Sequence, residues 1–126
     1  MYVAHIDIAA GGPGTISIID TMTNEVLPPS TINVGNTPLG ISYDPVFQRM
    51  YIANSQPGTV SILDTQTNTM ITGSPISIGN GPERIAYDPA NRARYVANFD
   101  DGTVSGSWNH SNLNKFTSSL LQISNL

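Results

Sequence analysis

An internal repeat of 44 residues limits the fold of this chain more than any other feature of its sequence. The segment Gly-Thr-Ile-Ser-Ile at residues 14–18 returns as Gly-Thr-Val-Ser-Ile at residues 58–62 and as Gly-Thr-Val-Ser at residues 102–105. Tyr-Asp-Pro likewise occurs at residues 43–45 and 87–89, with the same spacing. Repeats of about 40–45 residues are typical of architectures in which one small unit packs against its own copies. We therefore expect the chain to build the same unit more than once.

One unit, residues 37–80, contains four short segments with the character of β-strands. They cover residues 39–43, 50–54, 59–64 and 69–78. Gly, Pro, Asn or Asp stands at the ends of each segment. In the third segment Val60 and Ile62 share one face, as alternate residues of a strand do. Four antiparallel strands in a unit of this length predict an all-β fold made of β-propeller blades.

The repeat predicts three units of unequal completeness and a short C-terminal segment. We place the units at residues 1–36, 37–80 and 81–108, and a degenerate last strand or C-terminal tail at residues 109–126. The first unit begins in what corresponds to the second strand of a blade, so its innermost strand is not expected. Because propellers have roughly four to eight blades, three units predict an incomplete ring. The chain is then a fragment of a longer propeller, or an arc that closes a ring by self-association.

Two segments of the repeat resemble a known family. The sequences YIANSQPGTVSILDTQTN at residues 51–68 and YVANFDDGTVS at residues 95–105 are similar to the YVTN-type β-propeller repeat. The resemblance implies a cell-surface, secreted or periplasmic protein, because such repeats occur in archaeal surface-layer proteins and in exported bacterial proteins. The wider superfamily includes lactonase-like and quinoprotein-dehydrogenase-like propeller enzymes. The N-terminal residues of this chain do not have the pattern of a signal peptide.

The composition argues against several classes of function. Only 11% of the residues are charged, against about 25% in an average domain, and the net charge is −4. Without a basic surface to neutralise phosphates, we expect no binding to nucleic acid. The chain has no cysteine, which excludes disulfides, zinc thiolate sites and a cysteine nucleophile. No apolar run approaches the ~20 residues that cross a bilayer, so we expect no membrane insertion.

The aspartates and histidines do not form a catalytic or metal-binding pattern. Four aspartates end strand segments, where their carboxylates are expected to accept hydrogen bonds from the turn backbone. They are Asp20, Asp44, Asp64 and Asp88. Asp100 and Asp101 supply two carboxylates where a calcium loop has several oxygen ligands in sequence, so we expect a solvated hairpin tip. His5 and His110 are not at metal-ligand spacing. The sequence therefore predicts no catalytic residue, no metal site and no cofactor.

Three residues remain as candidate ligand contacts. Asn54 and Asn98 end the second strand of their units, where their amides either face a ligand or tie the adjacent hairpin together. Arg84, Arg92 and Arg94 flank the inner strand of the third unit and are expected on its rim, paired with the nearby Glu83 and Asp88. Arginines hold anionic ligands in the channel of some propellers, which makes Arg84 a candidate. Gly40 stands at the equivalent position of the preceding unit, which argues against a ring of arginines.

We predict a non-enzymatic β-propeller module that binds a protein or a glycan through its flat face, which the loops between strands form. The repeated positions are explained by turns and by the core, and no constellation of acids, bases or metal ligands remains. Loops on a rigid scaffold are suited to binding because they vary without disturbing the strands. The alternative is one piece of a lactonase-like or quinoprotein-dehydrogenase-like enzyme, whose active residues converge on the channel from several blades.

Overall fold

The computed structural model describes residues 1–5, 13–56, 58–107 and 117–119. Within these ranges the chain forms β-strands and no helix. The strands are β1 (Tyr2–His5), β2 (Thr15–Asp20), β3 (Glu25–Val26), β4 (Ile32–Asn33), β5 (Pro38–Asp44), β6 (Arg49–Asn54), β7 (Thr59–Asp64), β8 (Thr69–Met70), β9 (Ile76–Ser77), β10 (Pro82–Asp88), β11 (Ala93–Asn98), β12 (Thr103–Ser107) and β13 (Thr117–Ser119). Accordingly, these ranges contain no helix long and apolar enough to span a membrane.

The strands form three antiparallel sheets that follow the repeat. The first sheet holds β1–β4, the second β5–β9 and the third β10–β13. In the second sheet β5, β6 and β7 pair in order, and both β8 and β9 pair with β7, because residues 73–75 interrupt the outer strand. The third sheet has the order β10-β11-β12-β13. These sheets are blades of a β-propeller with antiparallel strands and an incomplete ring, so the predicted fold class is confirmed.

The strand registers show which positions of the three sheets are equivalent. Tyr2 on β1 pairs with Ile18 on β2, just as Tyr51 on β6 pairs with Ile62 on β7. β1 therefore corresponds to β6 and β11, the second strand of a blade. Among the described residues no strand pairs with the other edge of β1, whereas β5 or β10 occupies that edge in the other two sheets. Of residues 109–126 the structure describes 117–119, which form β13 beside β12.

Two apolar clusters lie between the sheets. One lies between the first and second sheets and contains Ile16, Met50, Ile52 and Leu63. The other lies between the second and third sheets and contains Tyr51, Ala53, Val60, Ile62 and Val96. Because successive strand residues point to opposite faces, Ile52 faces the first sheet whereas Tyr51 and Ala53 face the third. The second sheet is thus buried on both faces, as a blade between two neighbours has to be.

The aspartates at the strand ends close the turns, as the sequence predicts. In each case the backbone N–H two residues further along the chain donates to the carboxylate, at 2.8 or 2.9 Å. The four residues are Asp20, Asp44, Asp64 and Asp88. At Asp64 the N–H of Gln66 is the largest cause that lowers the pKa of the carboxyl group. These contacts assign the four carboxylates to the turns.

A buried ion pair joins the second sheet to the third. Arg94 on β11 is 1% exposed, and its Nη2 donates to Oδ2 of Asp44. The guanidinium lies over the rings of Phe47, Tyr51 and Tyr87, with Cζ 5.5, 5.0 and 5.9 Å from their centroids. Burial raises the pKa of Tyr51 to about 12 although Arg94 opposes the change. The prediction that Arg94 lies on the rim is therefore wrong, because the packing of two blades encloses it.

Candidate functional site

The uncovered face of the third sheet carries a cavity of about 500 Å³. We call it the third-sheet cavity, and its lining includes Arg84, Ala97, Asn98, Phe99, Thr103 and Val104. A second hollow of about 220 Å³ lies on the same face and shares Arg84, Ala97 and Val104 with it. Ala97 is exposed, and Phe99 has 71% of its surface exposed. This part of the third sheet is therefore open to a partner.

Three neighbouring strands position the lining residues. Arg84 on β10 pairs with Ala97 on β11, and Ala97 pairs with Val104 on β12, so these residues form one row across the sheet. Val96, the preceding residue of β11, points the opposite way and belongs to the core against the second sheet. The cavity therefore lies on the face that is turned away from the second sheet.

The repeat relates this open face to an interior surface of the second sheet. The counterparts of Tyr95, Ala97 and Val104 in the second sheet are Tyr51, Ala53 and Val60. Those three counterparts are at most 1% exposed, because the third sheet covers them. In the third sheet Ala97 is exposed, and Tyr95 and Val104 are half-buried. The apolar lining of the cavity thus corresponds to the surface of the second sheet that is buried against the neighbouring blade.

Residue 84 breaks this equivalence inside the cavity. Its counterpart Gly40 lies so close to β10 that a Cβ atom there would be 2.7 Å from the carbonyl oxygen of Glu83 and 3.1 Å from the amide nitrogen of Ile85. A close-packed contact of this kind cannot accommodate a side chain. The third sheet carries the exposed Arg84 at the same position. A surface that covers the third sheet therefore cannot pack on it as the third sheet packs on the second.

Asn98 lines the cavity and also fastens two strands. Its Nδ2 donates to Oγ1 of Thr103 at 3.1 Å and to Oγ of Ser105 at 2.8 Å, which ties β11 to β12. The residue is 1% exposed, and its Oδ1 accepts no hydrogen bond from the described residues. Gly79 packs directly on the amide, since a Cβ atom there would lie 2.5 Å from Nδ2. The side chain thus has a structural role whether or not a ligand contacts it.

Asn54 makes the corresponding contacts in the second sheet, away from the third-sheet cavity. Its Nδ2 donates to Oγ1 of Thr59 at 3.1 Å and to Oγ of Ser61 at 2.9 Å, and the residue is fully buried. Of the three predicted ligand contacts, Arg84 and Asn98 both border the third-sheet cavity, but the side chain of Asn98 is 1% exposed and lies on the same face of β11 as Val96, toward the second sheet. The third predicted contact, Asn54, lies in the interior of the second sheet, which packs between the first and third sheets.

The hairpin tip between β11 and β12 is exposed, as predicted, and its carboxylates also contact the residues that precede β10. Asp101 accepts hydrogen bonds from the backbone N–H of Asn80 at 2.7 Å and from its Nδ2 at 2.9 Å. These two hydrogen bonds lower the pKa of Asp101. Gly81 has a φ of +62°, and a Cβ atom there would be 2.5 Å from Oδ2 of Asp100. The repeat gives no signal for this contact, because the counterpart of Asp101 is Pro57, which has no carboxylate.

The charge and polarity of the cavity favour one kind of ligand. Arg84 contributes an exposed guanidinium, and half-buried Glu83 lies next to it in the lining. The described residues contain no group of three or more His, Cys, Asp or Glu that could hold a metal ion. His110 lies outside the described residues, so its predicted lack of a metal role is not tested. An apolar pocket with a few polar groups suits a ligand that combines apolar surface with a negative charge.

Comparison with known proteins gives the fold. No protein-family model matches this chain, and no curated protein matches it. Hydrazine synthase of Kuenenia stuttgartiensis matches 82% of the chain at 22% identity, with a TM-score of 0.71. A candidate 6-phosphogluconolactonase of Bacteroides fragilis matches 97% at 15% identity, with a TM-score of 0.65. A nidogen/laminin complex matches 93% at 10% identity, with a TM-score of 0.58.

These likenesses show the β-propeller fold, and the identities are too low to show more. The chain spans 29% of the matched hydrazine synthase chain, 37% of the candidate lactonase and 43% of the matched chain in the nidogen/laminin complex. It therefore corresponds to less than half of each matched chain.

Proposed function

We propose that the chain is a non-enzymatic β-propeller module of the YVTN type that binds a protein or glycan partner at the third-sheet cavity. One observation carries the proposal: an apolar blade face is open in the described residues and bears the exposed Arg84. Apolar patches bordered by polar residues are characteristic of interaction sites. Phe99 stands exposed in the lining, and aromatic residues and arginine are enriched at contact surfaces.

The cavity favours a partner that presents an apolar group beside a negative charge. Ala97 and Val104 provide an apolar wall, and the ring of Phe99 offers a face for aliphatic or sugar C–H groups. Arg84 provides N–H donors in a planar fork that matches a carboxylate. A protein segment with an acidic residue next to an aromatic one meets both requirements. A glycan would have to carry an acidic sugar.

The alternative is that the chain forms one part of a lactonase-like or quinoprotein-dehydrogenase-like propeller enzyme. The likeness to the candidate 6-phosphogluconolactonase supports this alternative. We favour the binding module because the carboxylates of Asp44 and Asp64 are engaged in turns and ion pairs, and that of Asp101 in hydrogen bonds from Asn80. The YVTN resemblance supports a location at the cell surface, or outside the cytoplasm as a secreted or periplasmic protein.

A screen with defined probes tests the proposed function. The full chain is applied to immobilised peptides in which acidic and aromatic residues alternate, and to glycans with and without acidic sugars. We expect binding to an acidic probe that is lost in Arg84→Glu and in Val104→Glu. Arg92→Glu is the matched control, because Arg92 is an exposed arginine outside the cavity lining.

Two results would contradict the proposed function. Binding that persists in both cavity variants would show that the partner contacts another surface. Hydrolysis of a gluconolactone probe by the purified chain, above that of a heat-denatured sample, would favour the enzymatic alternative.

A further inference from the structure

The first sheet has an open inner edge, which lies on a different sheet from the third-sheet cavity. β1 pairs with β2 along one edge, and no strand of the described residues pairs with its other edge. In the second and third sheets β5 and β10 occupy the same edge. The free edge of β1 therefore presents backbone N–H and C=O groups that have no strand partner in this part of the chain. We call it the first-sheet edge.

Beside this edge, one face of β5 is open as well. Ile41 packs in the cluster between the first and second sheets, and Tyr43 lies on the same face of β5. Tyr43 is 45% exposed, whereas its counterpart Tyr87 on β10 is half-buried beside Arg94. Burial, and secondly the nearby Tyr43, raise the pKa of Tyr2, in agreement with the contact between β1 and β5. A strand on the first-sheet edge would cover Tyr43.

The contact between β5 and β10 shows what such a strand has to contain. β10 lies beside β5 so closely that Gly40 has no room for a Cβ atom against residues 83–85. β5 packs against the first sheet in the same way as β10 packs against the second sheet. A strand on the first-sheet edge would therefore meet the backbone of β5 at residues 39–41 in the same way. It has to carry glycine at the position that corresponds to Gly40.

We propose that the first-sheet edge binds an extended protein segment of the pattern Pro-x-Gly-Ile-x-Tyr-Asp, which adds to β1 as an antiparallel inner strand. The occupant is the inner strand of a further propeller unit of this repeat type, for which β5 is the template. Strand addition to a free sheet edge is an established mode of peptide recognition, in which backbone hydrogen bonds supply affinity and side-chain fit supplies specificity.

The register of the bound strand follows from the second sheet. There Gly40 pairs with Ala53, and Ser42 pairs with Tyr51. Ala4 on β1 is the counterpart of Ala53, because it pairs with β2 as Ala53 pairs with β7. The glycine of the bound segment therefore lies opposite Ala4. The residue two positions after that glycine lies opposite Tyr2.

The chain itself contains one segment that fits the edge and one that does not. Residues 36–46, NTPLGISYDPV, carry glycine at the critical position. Residues 80–90, NGPERIAYDPA, carry Arg84 there, and its side chain would collide with the backbone of β5. The first segment is expected to bind and the second is not.

The aspartate of the pattern provides an internal control. In its own blade contact Asp44 pairs with Arg94 of the next sheet. The counterpart of Arg94 beside the first sheet is Met50, because Tyr43 pairs with Met50 as Tyr87 pairs with Arg94. A bound aspartate therefore gains no ion pair at the first-sheet edge, so its charge does not favour binding, and burial of that charge beside Met50 opposes binding.

Peptide titration against the full chain tests the inference. A fluorescein-labelled peptide of residues 36–46 is titrated with the protein, and binding is followed by fluorescence anisotropy. We expect saturable binding that Gly40→Val in the peptide weakens about tenfold or more, because the added carbons have no space. Asp44→Asn in the peptide does not lower the affinity, and the peptide of residues 80–90 does not bind. Hydrogen exchange of the backbone amides of residues 2–5 slows when the first peptide is bound.

Variants of the protein separate this edge from other apolar surfaces. Tyr43→Glu lowers the affinity for the peptide, because it places a charge where the bound strand packs. Met22→Glu is the matched control, since Met22 is 90% exposed in the turn between β2 and β3 and lies off the edge. Arg84→Glu, which tests the proposed function, leaves the affinity for this peptide unchanged.

Four results would overturn the inference. One is the absence of binding at about 1 mM protein. Another is equal binding of the Gly40→Val peptide, or no added protection of residues 2–5. The last is a dimer, detected by light scattering, in which residues 2–5 are already protected from exchange and which the peptide does not dissociate, because a second copy would then cover the edge.

Discussion

Replacement of Arg94 by methionine tests what holds the second sheet to the third. The substitution copies Met50, the equivalent residue of the second sheet, and retains much of the buried volume. It leaves the Asp44 carboxylate, which is 0% exposed, without its charged partner. Removal of one member of a buried ion pair costs about 3–5 kcal/mol, because the remaining charge stays desolvated. The ring contacts of the guanidinium with Phe47 and Tyr51 are lost in the same step and are included in that range.

A second substitution distinguishes the loss of the ion pair from a loss of packing. Asp44→Asn in the Arg94→Met background keeps the Oδ1 that accepts from the N–H of Val46 at 2.9 Å, and it removes the unpaired charge. We expect this double variant to recover more than half of the stability that Arg94→Met loses. Urea unfolding followed by circular dichroism gives the free energies from the midpoint and the slope. A loss below about 1 kcal/mol in Arg94→Met, or a double variant less stable than the single one, would refute the reasoning.

Three further predictions concern positions at which the sheets meet or turn. Gly40→Val is expected to lower the free energy of unfolding by about 1–3 kcal/mol, because the side chain collides with the backbone of β10, whereas Arg84→Ala stays within about 0.5 kcal/mol; equal midpoints in urea would contradict this. Asn98→Ala is expected to cost about 1–3 kcal/mol, since it leaves the hydroxyl groups of buried Ser105 and half-buried Thr103 without their donor, and an unchanged midpoint would argue against the strand tie. The folded-state pKa of Asp101 is lowered, so its stabilising effect is present above its ordinary pKa and is lost as the pH falls through the lowered value. The melting temperatures of the parent and Asp101→Asn should therefore differ at pH 7 and approach each other as the pH falls below the ordinary value of about 4, and a difference independent of pH would exclude the hydrogen bonds to Asn80 as its cause.

The blades can be predicted from the sequence because their determinants are local. Asp64 begins a turn by accepting hydrogen bonds from residues two and three positions ahead, which any chain segment with that sequence can form. Alternation of Val60 and Ile62 with polar neighbours specifies a strand with one apolar face before any partner is known. The interruption at residues 73–75 likewise predicts the break that separates β8 from β9. Repetition of such local signals at a spacing of 44 residues is sufficient to predict the fold class.

The contacts between blades cannot be predicted in this way, because the repeat does not conserve them. Arg94 pairs with Asp44 of the preceding sheet, but its counterpart Met50 makes an apolar contact, so the repeat contains no signal for the ion pair. The same holds for the candidate site. Arg84 and Asn98 lie on different strands, and only the pairing of β10 with β11 brings them to one cavity. Asn54 and Asn98 make the same tie between strands and are both at most 1% exposed, in agreement with a sequence that does not distinguish them.

The residue at one position of the inner strand decides what each open surface accepts. Where that residue is Gly40, the next inner strand approaches to backbone contact, and the two sheets close on each other. Where that residue is Arg84, a complete blade with its own inner strand cannot pack as closely on the third sheet. The guanidinium of Arg84 then remains available to an acidic partner. A sheet without an inner strand, such as the first sheet of a second copy, would leave space for Arg84. If the third sheet of one copy packs on the first sheet of a second copy, Arg84 of the first copy occupies the space beside β1 of the second. A strand bound at that first-sheet edge would need the same space. The two contacts are therefore mutually exclusive.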